Sequence, residues 1–323
     1  MHDNTYSAIA EYRRFHMKPV AQDHFKLNEL HDNMIKQVLE ISLKEILARY
    51  GPPPSPFSFF VMGSAGRFEQ SVWSDQDHGI VYLDPTAEAK AYFLSLGKEI
   101  SKGLYQAGYP YCDGGVMAGN PFWCKSHSEW EKQIKNWAQE ASWESLRYLL
   151  IIIDGRSIFG QHQLLEHLKT FVYQTVQKEH LLPRMTNNTL YFKKGIGVLG
   201  QLLVETHGVH TGSLNIKETA LFPYVNAARL LAVKENLLET STLSRLHKLQ
   251  IHDKDLYKAM FLKLLNYRLL FVSHTDYDSG HYLPVDILTK EQKNEMKDII
   301  KNGVTLHQSV RKLIEKEGKH ENK

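Results

Sequence analysis

Residues 57–83, FSFFVMGSAGRFEQSVWSDQDHGIVYL, carry the pattern that decides the fold. Residues 57–62 are aromatic and β-branched, which suits a buried strand. The run ends in Gly63-Ser64-Ala65-Gly66, a tight turn that leads into a helix. A second strand is expected over residues 77–83, closing at Asp84-Pro85. Asp75 and Asp77 lie one residue apart at its start, so both carboxylates point to the same face.

The chemistry of this stretch follows from its parts. Where a strand turns into a helix, exposed backbone N–H groups favour an anionic phosphate. Glycine at positions 63 and 66 lets the backbone approach closely, with no side chain in the way. Two neighbouring carboxylates repel unless a cation separates them. Hard oxygen ligands suit Mg²⁺ or Mn²⁺, ions that also take oxygens from a nucleoside triphosphate. A metal site there would orient an attacking hydroxyl and stabilise leaving pyrophosphate. A Gly-Ser turn or a D-x-D taken alone is common on solvated strand edges. The signal lies in the order of strand, turn, helix, D-x-D and strand.

Outward from this stretch the chain is mostly helical. Ile35, Val38, Leu39, Ser42 and Ile46 recur at helical spacing in residues 22–50. That helix stops at Gly51, before Pro52, Pro53, Pro54 and Pro56. Helices are expected at 86–107, 127–140 and 161–180, with a Gly-rich loop over 114–121. From about residue 187 the pattern is helical almost throughout; Leu256, Met260, Leu264 and Arg268 trace one face, and Met296, Ile300 and Val304 another. The expected division is a helical arm over 1–50, a small domain with a sheet over 51–180, and an all-α domain over 181–323.

A length of 323 residues fits two domains with an extra arm. Hydrophobic content of 42% and charged content of 23% are ordinary for a globular protein. A net charge of +3 makes no case for a nucleic-acid partner or a polybasic membrane binder. Cys112 and Cys124 make no disulfide framework and no zinc site, which fits a reducing compartment. The N-terminus lacks a basic-then-apolar signal pattern. The longest apolar run, residues 149–153, is far below the roughly 20 residues that span a bilayer. A cytoplasmic protein without a membrane anchor is the expectation.

The central stretch resembles the active-site signature of the polymerase-beta-like nucleotidyltransferases, Gly-Ser followed by D-x-D. More narrowly, Gly63-Ser64-x-Gly66-Arg67-x-Glu69-Gln70 with Ser74-Asp75-Gln76-Asp77 resembles bacterial nucleotidyltransferases related to the N-terminal region of PII-protein uridylyltransferase. Cys112-Asp-Gly-Gly-Val-Met-Ala118 with Asn120-Pro121 and Trp123 extends the match, as does Asp154-Gly-Arg156 with Gly160. Asn215-Ile-Lys217 and Ala228-Arg229-Leu-Leu-Ala232 resemble the helical substrate-binding domain of that group. His78 stands where that pattern has Asn, and Gly155 where it has an aromatic residue.

The resemblance implies an α+β polymerase-beta-like nucleotidyltransferase domain with an N-terminal helical arm and a C-terminal all-α domain. It implies an Mg²⁺- or Mn²⁺-dependent enzyme that moves a nucleoside monophosphate from a triphosphate to a hydroxyl. The acceptor it favours is a protein, as in uridylylation of a signalling protein. Asp75 and Asp77 would be the catalytic and metal-binding pair, with Gly63, Ser64 and Arg67 on the nucleotide. Lys217 and Arg229 would add positive charge from the helical domain, unless they are plain surface cations.

A third carboxylate, acting as general base, is expected from Asp154 or Glu144; Asp154 could equally form a structural ion pair with Arg156. Arg67 suits a phosphate bidentately but could also pair with Glu69. Trp123, Trp130 and Trp137 recur every seven residues, which fits core packing better than nucleobase stacking. His207 with His210, and Asp276 and Asp278 with His281, are too few ligands for a metal site. Two other classes stay open: a non-catalytic nucleotide-binding regulator, and an enzyme adding nucleotides to RNA, which the weak net charge disfavours.

Overall fold

The structure, a computed structural model, describes residues 5–272 and 276–321. Its centre is a four-stranded sheet of β1 (Phe57–Val61), β2 (His78–Tyr82), β3 (Cys124–Ser126) and β4 (Arg156–Gly160), in the order β3-β2-β1-β4. β1 runs antiparallel to both neighbours, and β2 and β3 are parallel. The two expected strands are thus adjacent, with Phe57 opposite Tyr82 and Val61 opposite His78. β4 had no sequence signal beyond the motif around Asp154, because its five residues barely alternate.

Both faces of the sheet are covered, which explains why β1 and β2 read as near-continuous apolar runs. Phe59 and Ile80 face α1 (Tyr6–Val20), α2 (His24–Tyr50) and α4 (Ala87–Gln106), packing with Leu27, Val38 and Leu96. Phe60 and Val81 face α5 (His127–Glu140), α6 (Trp143–Ile152) and α7 (His162–Lys178). α3 (Gly63–Gly66) is a single turn rather than the full helix expected there. Trp123, Trp130 and Trp137 are 1%, 0% and 5% exposed, so they are core side chains and stack no ligand.

The N-terminal helices do not stand off as an arm. They form one layer on the sheet, and Arg156 of β4 clasps Asp32 of α2 through two bonds of 2.7 and 2.8 Å. The Tyr6 hydroxyl adds bonds to Ser42 at 2.9 Å and Glu99 at 3.2 Å. α1 precedes the helix expected from residue 22 of that arm, and Thr5 caps α1 by accepting from the Ala8 N–H.

The second half contains α8 (Leu182–Asn188), α9 (Phe222–Lys234), α10 (Thr242–Lys248), α11 (Lys254–Phe271) and α12 (Lys290–Glu321). It is mostly helical rather than all-α, because β5 (Ser213–Asn215) pairs with β6 (Tyr282–Pro284) in a small antiparallel ribbon. One apolar cluster runs from Phe60 and Trp123 through Leu149 and Tyr173 to Leu230 and Phe261, so the halves share a core. Among the described residues no helix is long and apolar enough to cross a membrane.

Candidate active site

Gly63 has φ +55°, a backbone state that L side chains rarely adopt. A Cβ there would lie 2.1 Å from Asp77 Oδ2, so only glycine admits the carboxylate against the turn. At Gly66 a Cβ would meet the Asp154 carbonyl oxygen at 2.1 Å. The Met62 N–H donates to the Asp77 carbonyl at 2.7 Å, extending the ladder one step past β2.

The residues between the acids fix their direction. Gln76 is buried and donates to the carbonyls of Ser101 and Tyr109 at 3.1 and 2.9 Å. His78 Nδ1 accepts from the Ala118 N–H at 3.2 Å, which leaves Nε2–H to donate to Gln76 Oε1 at 3.1 Å. Burial lowers the His78 imidazole to about 3, so it is a neutral strut. With Gln76 and His78 anchored behind the strand, alternation turns Asp75 and Asp77 the other way.

Ligand atoms of Asp75, Asp77 and Cys112 all lie within 4.8 Å of one another. Burial, and then the neighbouring Asp75, push the Asp77 carboxyl up to about 7, against the pull of Cys112, Arg67 and Lys217. Burial raises Asp75 as well, opposed first by Lys217, then by a backbone hydrogen bond and one from Tyr277. Burial and Asp77 push the Cys112 thiol up to about 12, so it stays protonated and donates to Asp77. Two crowded carboxylates with raised affinity for protons form a site where a divalent cation would relieve the repulsion.

Asp154 presents the opposite case. It is fully buried, and three guanidiniums converge on it: Arg67 at 2.6 Å, Arg229 at 2.5 Å and Arg245 at 2.8 Å. Burial alone would raise its carboxyl, yet Arg229, Arg67 and Arg245 hold it well below the usual range. Its oxygens are engaged and out of solvent, so the expected general base is instead an anchor that aims arginines. The expected Asp154–Arg156 pair is absent, since Arg156 is committed to Asp32. Glu144, the alternative base, is exposed on α6 and takes the Tyr148 hydroxyl at 2.5 Å.

Between the sheet and the helical half lies a cavity of about 790 Å³. Gly63, Ser64, Asp75, Asp77 and Arg67 line it from the sheet side; Lys217 and Arg229 do so from the helical side. Residues 10–144 match the family model described as "Putative nucleotidyltransferase DUF294". Residues 179–314 match the one described as "Putative nucleotidyltransferase substrate binding domain". The chain belongs to a nucleotidyltransferase family with a separate substrate-binding domain. No curated protein matches it.

The substrate-binding domain thus walls the same cavity as the acid pair. Its Lys217 opens a π-helical turn, Lys217–Leu221, a geometry frequent at functional sites. Burial and Arg268 lower the Lys217 ammonium, while Asp75 and Asp77 pull it back up. Its Nζ lies 3.5 Å from His281 Nε2, and it forms no ion pair among the described residues. Arg67 does pair with Glu69, at 2.8 Å, in addition to Asp154. Glu69 accepts in turn from the Thr242 N–H at 2.9 Å, tying the turn after β1 to the start of α10.

Sequence reasoning missed Cys112, Arg245, Arg268, Tyr277 and His281 as parts of this neighbourhood. Cys112 was legible in principle, because it opens the Cys-Asp-Gly-Gly motif. Arg245 and Arg268 carry no local signal. In the sequence His281 reads only as a metal ligand short of partners; in the structure it accepts from Lys217. His210 stacks on Tyr282 with ring centres 3.7 Å apart, outside the cavity lining.

Proposed function

We propose that the protein is a divalent-cation-dependent nucleotidyltransferase on a polymerase-beta-like scaffold. It moves a nucleoside monophosphate from a triphosphate to a hydroxyl on a protein, in the manner of the uridylyltransferases of signal transduction. The observation that carries this reading is the crowding of Asp75 beside Asp77, and of Asp77 against Gly63, in a cavity that also holds Arg67, Lys217 and Arg229.

The donor set suits the cation. Two hard carboxylates match Mg²⁺ or Mn²⁺, while the protonated thiol of Cys112 serves Asp77 as a hydrogen-bond donor. When bound, such an ion draws charge from the phosphates and lowers the pKa of an attacking hydroxyl. The chain's own residues do the rest. Backbone N–H groups of the turn at Gly63 and Ser64 receive phosphate oxygens. Arg67, beside that turn, and Arg229 and Lys217 from the helical side neutralise the triphosphate, with both arginines aimed by Asp154. Holding the α-phosphate against an acceptor hydroxyl can by itself supply several kcal/mol of the barrier, on the order of 7–11 in favourable cases.

The test is incubation of the full chain with Mg²⁺ or Mn²⁺, each labelled triphosphate and a cell lysate, followed by separation of protein, RNA and small molecules. Metal-dependent label on protein, lost in Asp75→Asn, is the expected result. Label confined to RNA would replace the acceptor, and tight nucleotide binding without any transfer would make the protein a regulator.

A further inference from the structure

The charged floor of the cavity leaves its mouth unexplained. Tyr111, Trp143 and Tyr191 are 46%, 52% and 77% exposed, and all three line the same cavity. Single exposed aromatics are ordinary, but three on the rim of one cavity are not. Trp143 and Tyr191 meet edge to face with ring centres 5.2 Å apart, and Asn188 Nδ2 donates to the Trp143 carbonyl at 2.8 Å. The ring on α6 is thereby tied to the segment that follows α8.

One face of α6 connects rim to floor. Trp143, Arg147, Leu150 and Ile151 line the cavity at steps of four, three and one, a continuous helical stripe. From Trp143 to Ile151 the helix rises about 12 Å, roughly the length of a nucleotide, and α6 ends at Ile152, two residues before Asp154 and its arginines. Phe222, Val225 and Arg229 form the matching stripe on α9. The floor is charged and suits phosphates. The mouth offers flat rings with one cation, Arg147, a turn below Trp143.

We infer that the Trp143–Tyr191 rim, with Tyr111 and Arg147, is the subsite for the nucleobase of the bound triphosphate. The inference rests on the proposed function and adds the place of the base to it. A base stacks on an exposed ring by its π-face, and Arg147 can donate to acceptors on its edge. An aromatic side chain of the acceptor is the competing occupant.

Calorimetric titration of the full chain, with Mn²⁺, separates these outcomes. The ligands are a non-hydrolysable nucleoside triphosphate and inorganic tripolyphosphate, which has the charge without the base. Trp143→Ala should weaken the nucleoside triphosphate roughly tenfold and leave tripolyphosphate unchanged. Tyr191→Ala should act in the same direction, and both side chains are exposed enough for the variants to fold. Unchanged nucleoside triphosphate affinity in the Trp143→Ala/Tyr191→Ala double variant would overturn the subsite while leaving the proposed function intact. Failure of the unaltered chain to bind either ligand would overturn both.

Discussion

Two half-buried aspartates line the cavity and a third, fully buried, holds the arginines that line it; their neighbours divide them. Asp154 has three arginines within 2.8 Å and is held far on the ionised side. Asp75 and Asp77 have each other, a thiol, a tyrosine and a lysine that reaches neither as an ion pair; their carboxyls are pushed up. A carboxylate that already has its cations built in is a structural element. A pair that lacks them could hold a metal ion. The same residue type thus reads as anchor or as site according to the charge placed beside it.

The largest expected effect is on stability, at the anchor. Asp154→Ala leaves one buried and two partly buried guanidiniums facing one another and should cost about 3–5 kcal/mol in denaturant unfolding. Asp77→Asn removes one of two repelling charges and should leave metal-free stability unchanged or slightly higher. Reversal of that order would break the comparison.

Catalysis should respond the other way round. Asp75→Asn should lower metal-dependent transfer by at least about 100-fold, with an unaltered circular dichroism spectrum. A variant that retains full transfer would remove Asp75 from the site.

A smaller effect is expected at the turn. Gly63→Ala puts a methyl into the Asp77 carboxylate at a strained φ of +55°. It should cost about 1–3 kcal/mol of stability and weaken metal binding together. Loss of stability with metal affinity intact would mean that the close approach does not shape the pair.

The effect that is smallest per pH unit sets the conditions for the others. His31 is buried and neutral, bonded to the Tyr109 hydroxyl at 2.8 Å and the Ser71 carbonyl at 2.9 Å. Burial and then Arg13 lower it to about 3, and burial and then Arg311 lower His307 to about 4. Because the unfolded chain binds these protons first, their stability contribution is full above pH ~6.5 and is lost as pH falls toward those values. The slope is at most about 1.4 kcal/mol per pH unit for each histidine. His31→Gln should flatten the acid limb of the stability curve, and an unchanged limb would refute the assignment.

The parts of this account that were legible in the sequence are the local ones. Gly63, Asp75 and Asp77 lie within fifteen residues, and alternation alone aims both acids to one face. The helices at 24–50, 87–106 and 127–140 followed from apolar periodicity and proline stops. What failed was non-local. The role of Asp154 depends on Arg67, Arg229 and Arg245, which arrive from three distant segments. The N-terminal helices passed for an arm because the proline run after Gly51 reads as a boundary. It is instead the corner where α2 folds back onto the sheet. The β5–β6 ribbon joins two three-residue segments far apart in sequence, too short for any strand pattern.

The most direct test of the central claim is calorimetric titration of Mn²⁺ into the full chain at neutral pH, with and without a non-hydrolysable nucleoside triphosphate, for the unaltered protein, Asp75→Asn/Asp77→Asn and Asp154→Asn. The account predicts Mn²⁺ binding that tightens with nucleotide and disappears in the Asp75→Asn/Asp77→Asn variant. Any Asp154→Asn chain that remains folded should still bind the ion. Undiminished nucleotide-coupled Mn²⁺ binding in the Asp75→Asn/Asp77→Asn variant would contradict it.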